Sequence, residues 1–271
     1  MADRRTVPYL INGVGSEQDV YTSSAVAKHP IGAKGVTLDG RVFYYASRVA
    51  SGTLSRGSLC TVATSVANHV SIAWASGGAA QQRKITVTLG ATLATVNQYA
   101  DGWITVIDGG SSNGQGQVRQ IQSHPAAASG ATLELTLYDA LETTMAASEV
   151  TLTKNMFDEV ILSPGNAQPI PAGWPAFDVP AGNTSKQHFW LQTAGELAAL
   201  RDGSVFLDGS PLVPASAGTA DAGQVTLGHE SVGVGTANDP SDLLPLVGYA
   251  IEASDATSDG DHILAMGSIR W

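Results

Sequence analysis

Apolar and polar positions along this chain alternate mostly with a period of two. Ile85, Val87 and Leu89 alternate with Thr86 and Thr88, and Leu133, Leu135 and Leu137 alternate with Glu134 and Thr136, the pattern of half-buried strands. Residues 103–107 form a further expected strand with Asp-Gly at either end, and 58–64, 117–121 and 149–152 have the same character. Beyond residue 175, short strands are expected at 176–179, 188–192, 204–207, 224–227, 231–234, 246–253 and 263–271. Only 140–147 and 196–201 look capable of a helical turn.

The punctuation between these runs is equally regular. Asp-Gly occurs at 39–40, 101–102, 108–109, 202–203, 208–209 and 259–260, and Asn-Gly at 12–13 and 113–114. Tight hairpins need positive φ, which Gly adopts freely and Asp or Asn tolerates. The run 35–45 therefore predicts a hairpin in which residues 36–38 face 41–43 across a two-residue Asp39-Gly40 turn. A break at Ser163, Pro164, Gly165 and Asn166, followed by Pro169, Pro171 and Pro175, marks 163–175 as a linker. The expected fold is all-β and hairpin-rich with little helix: an extended N-terminal arm over 1–34, a β-rich domain over 35–163, and a small β-barrel or sandwich over 164–271.

Composition adds a surface argument. The 271 residues are 43% hydrophobic and only 14% charged, against roughly 25% charged in an average globular domain. Such a surface suits a protein covered by neighbouring subunits. The net charge of −10 is uneven. Residues 1–84 hold nine Lys/Arg against four Asp/Glu, and the remainder holds five against twenty. Nucleic-acid binding by the whole chain is disfavoured, whereas the basic third could dock on an acidic protein surface through Arg4, Arg5, Lys28, Lys34, Arg41, Arg48 and Arg56. No apolar run reaches the roughly 20 residues of a membrane helix, and no apolar signal-peptide stretch follows Met-Ala-Asp-Arg-Arg, so neither membrane insertion nor secretion by that route is expected.

Candidate chemistry is sparse. Cys60 is the single cysteine and reads as a small buried side chain. The six histidines have no HxH, HxxxH or HExxH spacing, and there is no Gly-x-Ser-x-Gly elbow or P-loop lysine. Asp255, Asp259 and Asp261, with Glu252 nearby, offer oxygen ligands to calcium, but their spacing is not that of an EF-hand and a solvated loop explains them better. Six carboxylates already serve turns, which weakens a glycosidase reading. Trp74, Trp103, Trp174, Trp190 and Trp271 could line a carbohydrate platform, although Trp103 and Trp190, at alternating strand positions, are expected to pack in a core. No enzyme, cofactor or metal is expected.

Several stretches carry a resemblance. KHPIGAKGVTLDGRVFYYA at 28–46, followed by the GxLSxGxL pattern at 52–59, resembles the opening of structural proteins of tailed bacteriophages. Residues 87–109 and 133–141 look like the middle of the same proteins, and 188–216 with 246–253 is similar to the small β-modules of capsid decoration proteins. The resemblance implies a virion component of decoration or cement type on the outer capsid surface, assembled in the host cytoplasm. Its partners would be the major capsid protein and its own copies as a homotrimer. The contact arm would include Arg4, Arg5, Tyr9, Tyr21, Lys28, Lys34 and Arg41. A fibre or tail module binding host-surface carbohydrate is the alternative.

Overall fold

The computed structural model describes residues 18–48, 52–108, 114–145, 149–164, 170–182, 185–215, 222–227, 245–253 and 261–269. It is all-β, and no α-helix occurs among the described residues. The chain divides into two compact units, one from Met1–Ala63 with Phe157–Trp271 and one from Thr64–Met156. The second is nested within the first, which replaces the consecutive division at 34 and 163 expected from the sequence. The reason lies in long-range pairing: strands near the N-terminus find their partners beyond residue 160.

The larger unit begins with β1 (Lys34–Val36), β2 (Val42–Arg48) and β3 (Cys60–Thr61). The β1–β2 hairpin pairs Val36 with Val42 and Gly35 with Phe43, one residue out of register from a two-residue turn. Thr37 and Arg41 close a three-residue loop of Leu38, Asp39 and Gly40, with Gly40 at φ 86°. Asp39 fixes the loop by accepting from the Thr37 hydroxyl and from Arg41 Nε at 2.9 Å. This register sends Phe43 and Tyr45 inward and leaves Leu38 exposed.

The nested unit is a closed six-stranded antiparallel barrel. Its strands are β4 (Ile72–Gly77), β5 (Lys84–Thr88), β6 (Trp103–Asp108), β7 (Val118–Ser123), β8 (Thr132–Leu137) and β9 (Glu149–Thr153), in the spatial order β4-β5-β8-β7-β6-β9. The period-two pattern does what the sequence suggests: Ile85 sits opposite Leu135 and Val87 opposite Leu133, all inward, with Thr86 and Glu134 outward. Bulges at 74–76, 106–108 and 121–123 bend the strands into closure. Residues 140–145 form no helix; Leu141 and Met145 enter the barrel core, and Leu141 exchanges backbone bonds with Gln81 and Gln82.

After the barrel the chain returns through β10 (Ile161–Leu162), β11 (Pro171–Pro175), β12 (Gln187–Leu200), β13 (Pro211–Pro214), β14 (Val225–Leu227), β15 (Gly248–Ala250) and β16 (His262–Ser268). These join β3 in the order β10-β3-β11-β12-β16-β15-β13-β14, with β2 also paired to β12, and the sheet curls into a half-barrel. The 14-residue β12 is its spine, pairing β2 along Gln187–Ala194 and β16 along Ala194–Leu200. Two expectations change here. The 196–201 segment is strand, because Leu197 and Ala199 are buried between exposed Glu196 and Ala198, and seven pairs with β16 override the helix propensity of Ala, Leu and Glu. The proline-rich linker contains the fully buried β11. A bulge at Gly173, φ 145°, absorbs the irregularity, and a Cβ there would lie 2.4 Å from the Gln192 carbonyl oxygen.

Candidate interaction surfaces

The cations and tyrosines expected to form a contact arm fall into three groups. Arg4, Arg5 and Tyr9 lie outside the described residues. Lys28 and Lys34 are exposed, and the Lys34 ammonium sits 5.9 Å above the Tyr44 ring. Tyr21 and Arg41 are brought together, with Arg41 Nη1 donating to the Tyr21 hydroxyl at 3.2 Å. Residues 18–34 do not extend away as an arm. Val20 is fully buried, Ser24 bridges His188 of β12, and Gln18 is locked between Tyr45, Trp190 and the His188 carbonyl. Arg48 is not a docking cation either, being only 3% exposed; burial lowers its pKa.

Tyr21 and Arg41 open onto a groove of about 670 Å³ within the larger unit. Arg56, Glu196, Leu264 and Met266 also line it, with Trp174 beneath. Gly195 lets the hairpin approach this closely, since at φ 92° a Cβ would meet Arg41 Cα at 3.0 Å. Burial opposes ionisation of Asp39, but hydrogen bonds from Thr37 and Arg41 and the Arg41 charge outweigh it and hold the carboxyl below its ordinary pKa.

The groove continues onto an outward sheet face. Along β16, Leu264 and Met266 are each 40% exposed and alternate with buried Ile263, Ala265 and Gly267. Met266 pairs Glu196 on one side and Tyr249 on the other, so Ala198, Leu264, Met266 and Tyr249 form one apolar patch across three strands. Sequence reasoning missed this patch, because both faces of 263–269 are apolar and period-two patterning alone cannot tell which is inside.

Two buried polar clusters invite comparison with catalytic sites, and each is closed on itself. Ser47 Oγ donates to Asp158 Oδ1 at 2.5 Å, and Lys186 Nζ reaches both Asp158 oxygens at 2.7 and 2.8 Å. Ser47 also accepts from the Glu159 N–H at 2.9 Å and is wholly buried, so no substrate can reach its hydroxyl. In the barrel, His69 Nδ1 accepts from the Tyr99 hydroxyl while its Nε2 faces the Thr92 carbonyl at 3.0 Å. His124 accepts the Tyr99 N–H at Nε2, 2.9 Å, and donates from Nδ1 to the Pro125 carbonyl. Burial lowers the His124 pKa, with the neighbouring His69 adding to the effect. His188 is lowered too, by burial first and then by Lys186.

The remaining candidates resolve as follows. Cys60 is buried, and burial pushes its thiol up to about 12. Asp255 and Asp259 lie outside the described residues, and Asp261 is within 3.8 Å of Arg201. Among the described residues no group of three His, Cys, Asp or Glu side chains comes together to hold a metal. Nor is any helix among them long and apolar enough to cross a membrane. Trp174 and Trp190 are buried and Trp74 packs against the barrel core, whereas Trp103 is 42% exposed rather than packed in a core. Trp271 lies outside the described residues. Protein-family models, curated proteins and solved structures offer no match to this chain.

Proposed function

We propose that the chain is a structural virion protein of the capsid-decoration type, which binds the outer face of a capsid lattice and bridges neighbouring subunits. The observation that carries this reading is the apolar face of β12, β16 and β15, where Leu264, Met266 and Tyr249 stand in water on a sheet whose other face packs in the core. The resemblance of 28–59 and 188–216 to virion proteins supports it, as does a low-charge surface suited to close neighbours. Partners in this reading are the major capsid protein and further copies of the chain, as a trimer. Each contact needs little affinity, because many copies on a lattice act multivalently. The role is mechanical and non-enzymatic.

The test is co-sedimentation of the purified chain with undecorated capsids. Leu264→Asp and Met266→Asp are expected to lose attachment while remaining folded, and undiminished occupancy of both would reject this face. Truncation should remove only residues 1–17, since Val20 and Gln18 belong to the core of the larger unit. The second reading, a fibre or tail module that recognises carbohydrate, draws on the exposed Trp103.

A further inference from the structure

The barrel has its own exposed feature, separate from the sheet face of the larger unit. Trp103 and Tyr138, 42% and 40% exposed, are the two large aromatic side chains that it presents to water among the described residues. They stand in one cross-strand row. Trp103 on β6 is paired with Gln120 on β7, and Gln120 accepts the backbone N–H of Tyr138, just past the end of β8, at 3.0 Å. Adjacent strands lie about 4.8 Å apart, so two aromatic rings flank a central amide over roughly 10 Å.

The polar groups of this row are held in place before any ligand arrives. Tyr138 donates its hydroxyl to Asp101 Oδ1 at 2.8 Å, and the Asp101 carbonyl oxygen accepts both Gln120 Nε2 and Asn155 Nδ2 at 3.2 Å. Asp101 has φ 59°, a left-handed conformation that a non-glycine residue adopts at a cost and that concentrates at functional positions. Gly102 then passes so close to β9 that a Cβ would lie 2.3 Å from the Thr153 carbonyl oxygen. This clamped turn delivers Trp103 to the surface at a fixed position. An exposed indole that merely escaped burial would need none of these supports.

We infer that Trp103, Gln120, Tyr138 and Asp101 form a binding platform for an uncharged glycan of at least two linked pyranose rings. The negative faces of the aromatic rings attract the slightly positive C–H face of a sugar. A carboxylate and an amide in fixed positions accept and donate to the hydroxyls at its edge. The spacing of the two rings fits two sugars rather than one. The Asp101 carboxylate, bonded to the Tyr138 hydroxyl, sets a negative charge at the edge of the rings that disfavours sialic and uronic acids. The platform rests on the second reading, carbohydrate recognition at Trp103, and not on the lattice reading, because it belongs to the barrel and the lattice face to the larger unit.

The experiment uses the full chain, without capsids, in saturation-transfer NMR against cellobiose, chitobiose, maltose, lactose, sialyllactose and tetramethylammonium. At least one neutral disaccharide should receive saturation at its ring C–H protons. Trp103→Ala should weaken that binding by about tenfold or more, and Gln120→Ala by a smaller factor. Tyr138→Phe keeps the ring but removes its bond to Asp101, and is expected to bind less tightly than the native chain and more tightly than Tyr138→Ala. Unchanged thermal melting of each variant separates loss of the platform from loss of the fold. Absence of binding to every neutral sugar at millimolar concentration, full retention in Trp103→Ala, or binding confined to sialyllactose or tetramethylammonium would overturn the inference. Failure here leaves the capsid test untouched, and failure of the capsid test leaves this one standing.

Discussion

Asp158→Ala probes the point where the chain re-enters the larger unit after the barrel. The carboxylate is 6% exposed and accepts three short hydrogen bonds, one from Ser47 and two from Lys186. Removing one member of a fully buried ion pair costs about 3–5 kcal/mol, because the other charge is stranded. Lys186 is not stranded, however, since its side chain is 33% exposed and Glu159 lies 3.2 Å away. The Ser47 hydroxyl has no such escape and loses its acceptor, for about 1 kcal/mol. Losing the charge-assisted bonds to the partly exposed Lys186 adds about 1–2 kcal/mol, for a total of about 2–3 kcal/mol in Asp158→Ala and about 1–2 kcal/mol in Asp158→Asn, which keeps an acceptor for Ser47.

Urea denaturation measures this, with Trp74→Phe and Trp103→Phe in the background so that buried Trp174 and Trp190 report the larger unit. Ser47→Ala completes a double-mutant cycle. Its coupling to Asp158→Ala should be about 1 kcal/mol, because the two residues share one bond. A loss below about 0.5 kcal/mol for Asp158→Ala, or full additivity with Ser47→Ala, would refute the claim that this cluster anchors the return strand.

Three further outcomes are expected. His124 and His188 are both lowered by burial, so below an unfolded histidine pKa of about 6.5 the unfolded chain binds more protons than the folded one. Stability should be fully present above that pH and fall as the solution is acidified toward the folded values; a flat melting temperature between pH 7 and pH 5 would contradict this. Gly102→Ala should destabilise the barrel by about 2–3 kcal/mol, because its Cβ would meet backbone at 2.3 Å. Gly130→Ala, at φ 70° with nothing within 4 Å, should cost only about 1–2 kcal/mol, and equal losses in thermal melts would show that close approach is irrelevant. Cys60 should resist a disulfide reagent at pH 8 until the chain is unfolded, being buried with its thiol pushed up to about 12.

The barrel was the part most open to sequence reading, because Ile85–Leu135 and Val87–Leu133 pair two strongly alternating runs. The nesting was not. It depends on Gln187–Ala194 pairing with Arg48–Val42, and nothing local encodes a partner 139 to 152 residues away. The hairpin at Asp39-Gly40 was found in place but one residue out of register, since a single positive φ at Gly40 suits a three-residue loop as well as a shorter one. Trp103 escapes the core expected for it for a related reason. In 103–107, Trp103, Thr105 and Ile107 compete with Ile104 and Val106 for the inner face, and only closure of the barrel selects the smaller set. The 18–34 segment shows no periodicity because scattered single contacts hold it: side-chain hydrogen bonds of Gln18, a bridge at Ser24, and backbone bonds of Gly32 and Ala33 with Tyr45.

Where this protein spends its polar groups bears on how it can act. The Ser47–Asp158–Lys186, His69–Tyr99–His124 and Gln18–Tyr45–Trp190 clusters look inward, and their donors and acceptors are largely matched to one another. A buried network satisfied in this way selects one packing but has little capacity left for a substrate. Asp39 and Asp202 spend their carboxylates on turns, the latter by accepting the Ser204 N–H at 3.0 Å. Among the described residues, exposed apolar and aromatic side chains instead gather on outer strand faces: an apolar patch on the half-barrel and an aromatic row on the barrel. Each is set on strands fixed by its own core, so a substitution in one face should leave the other intact.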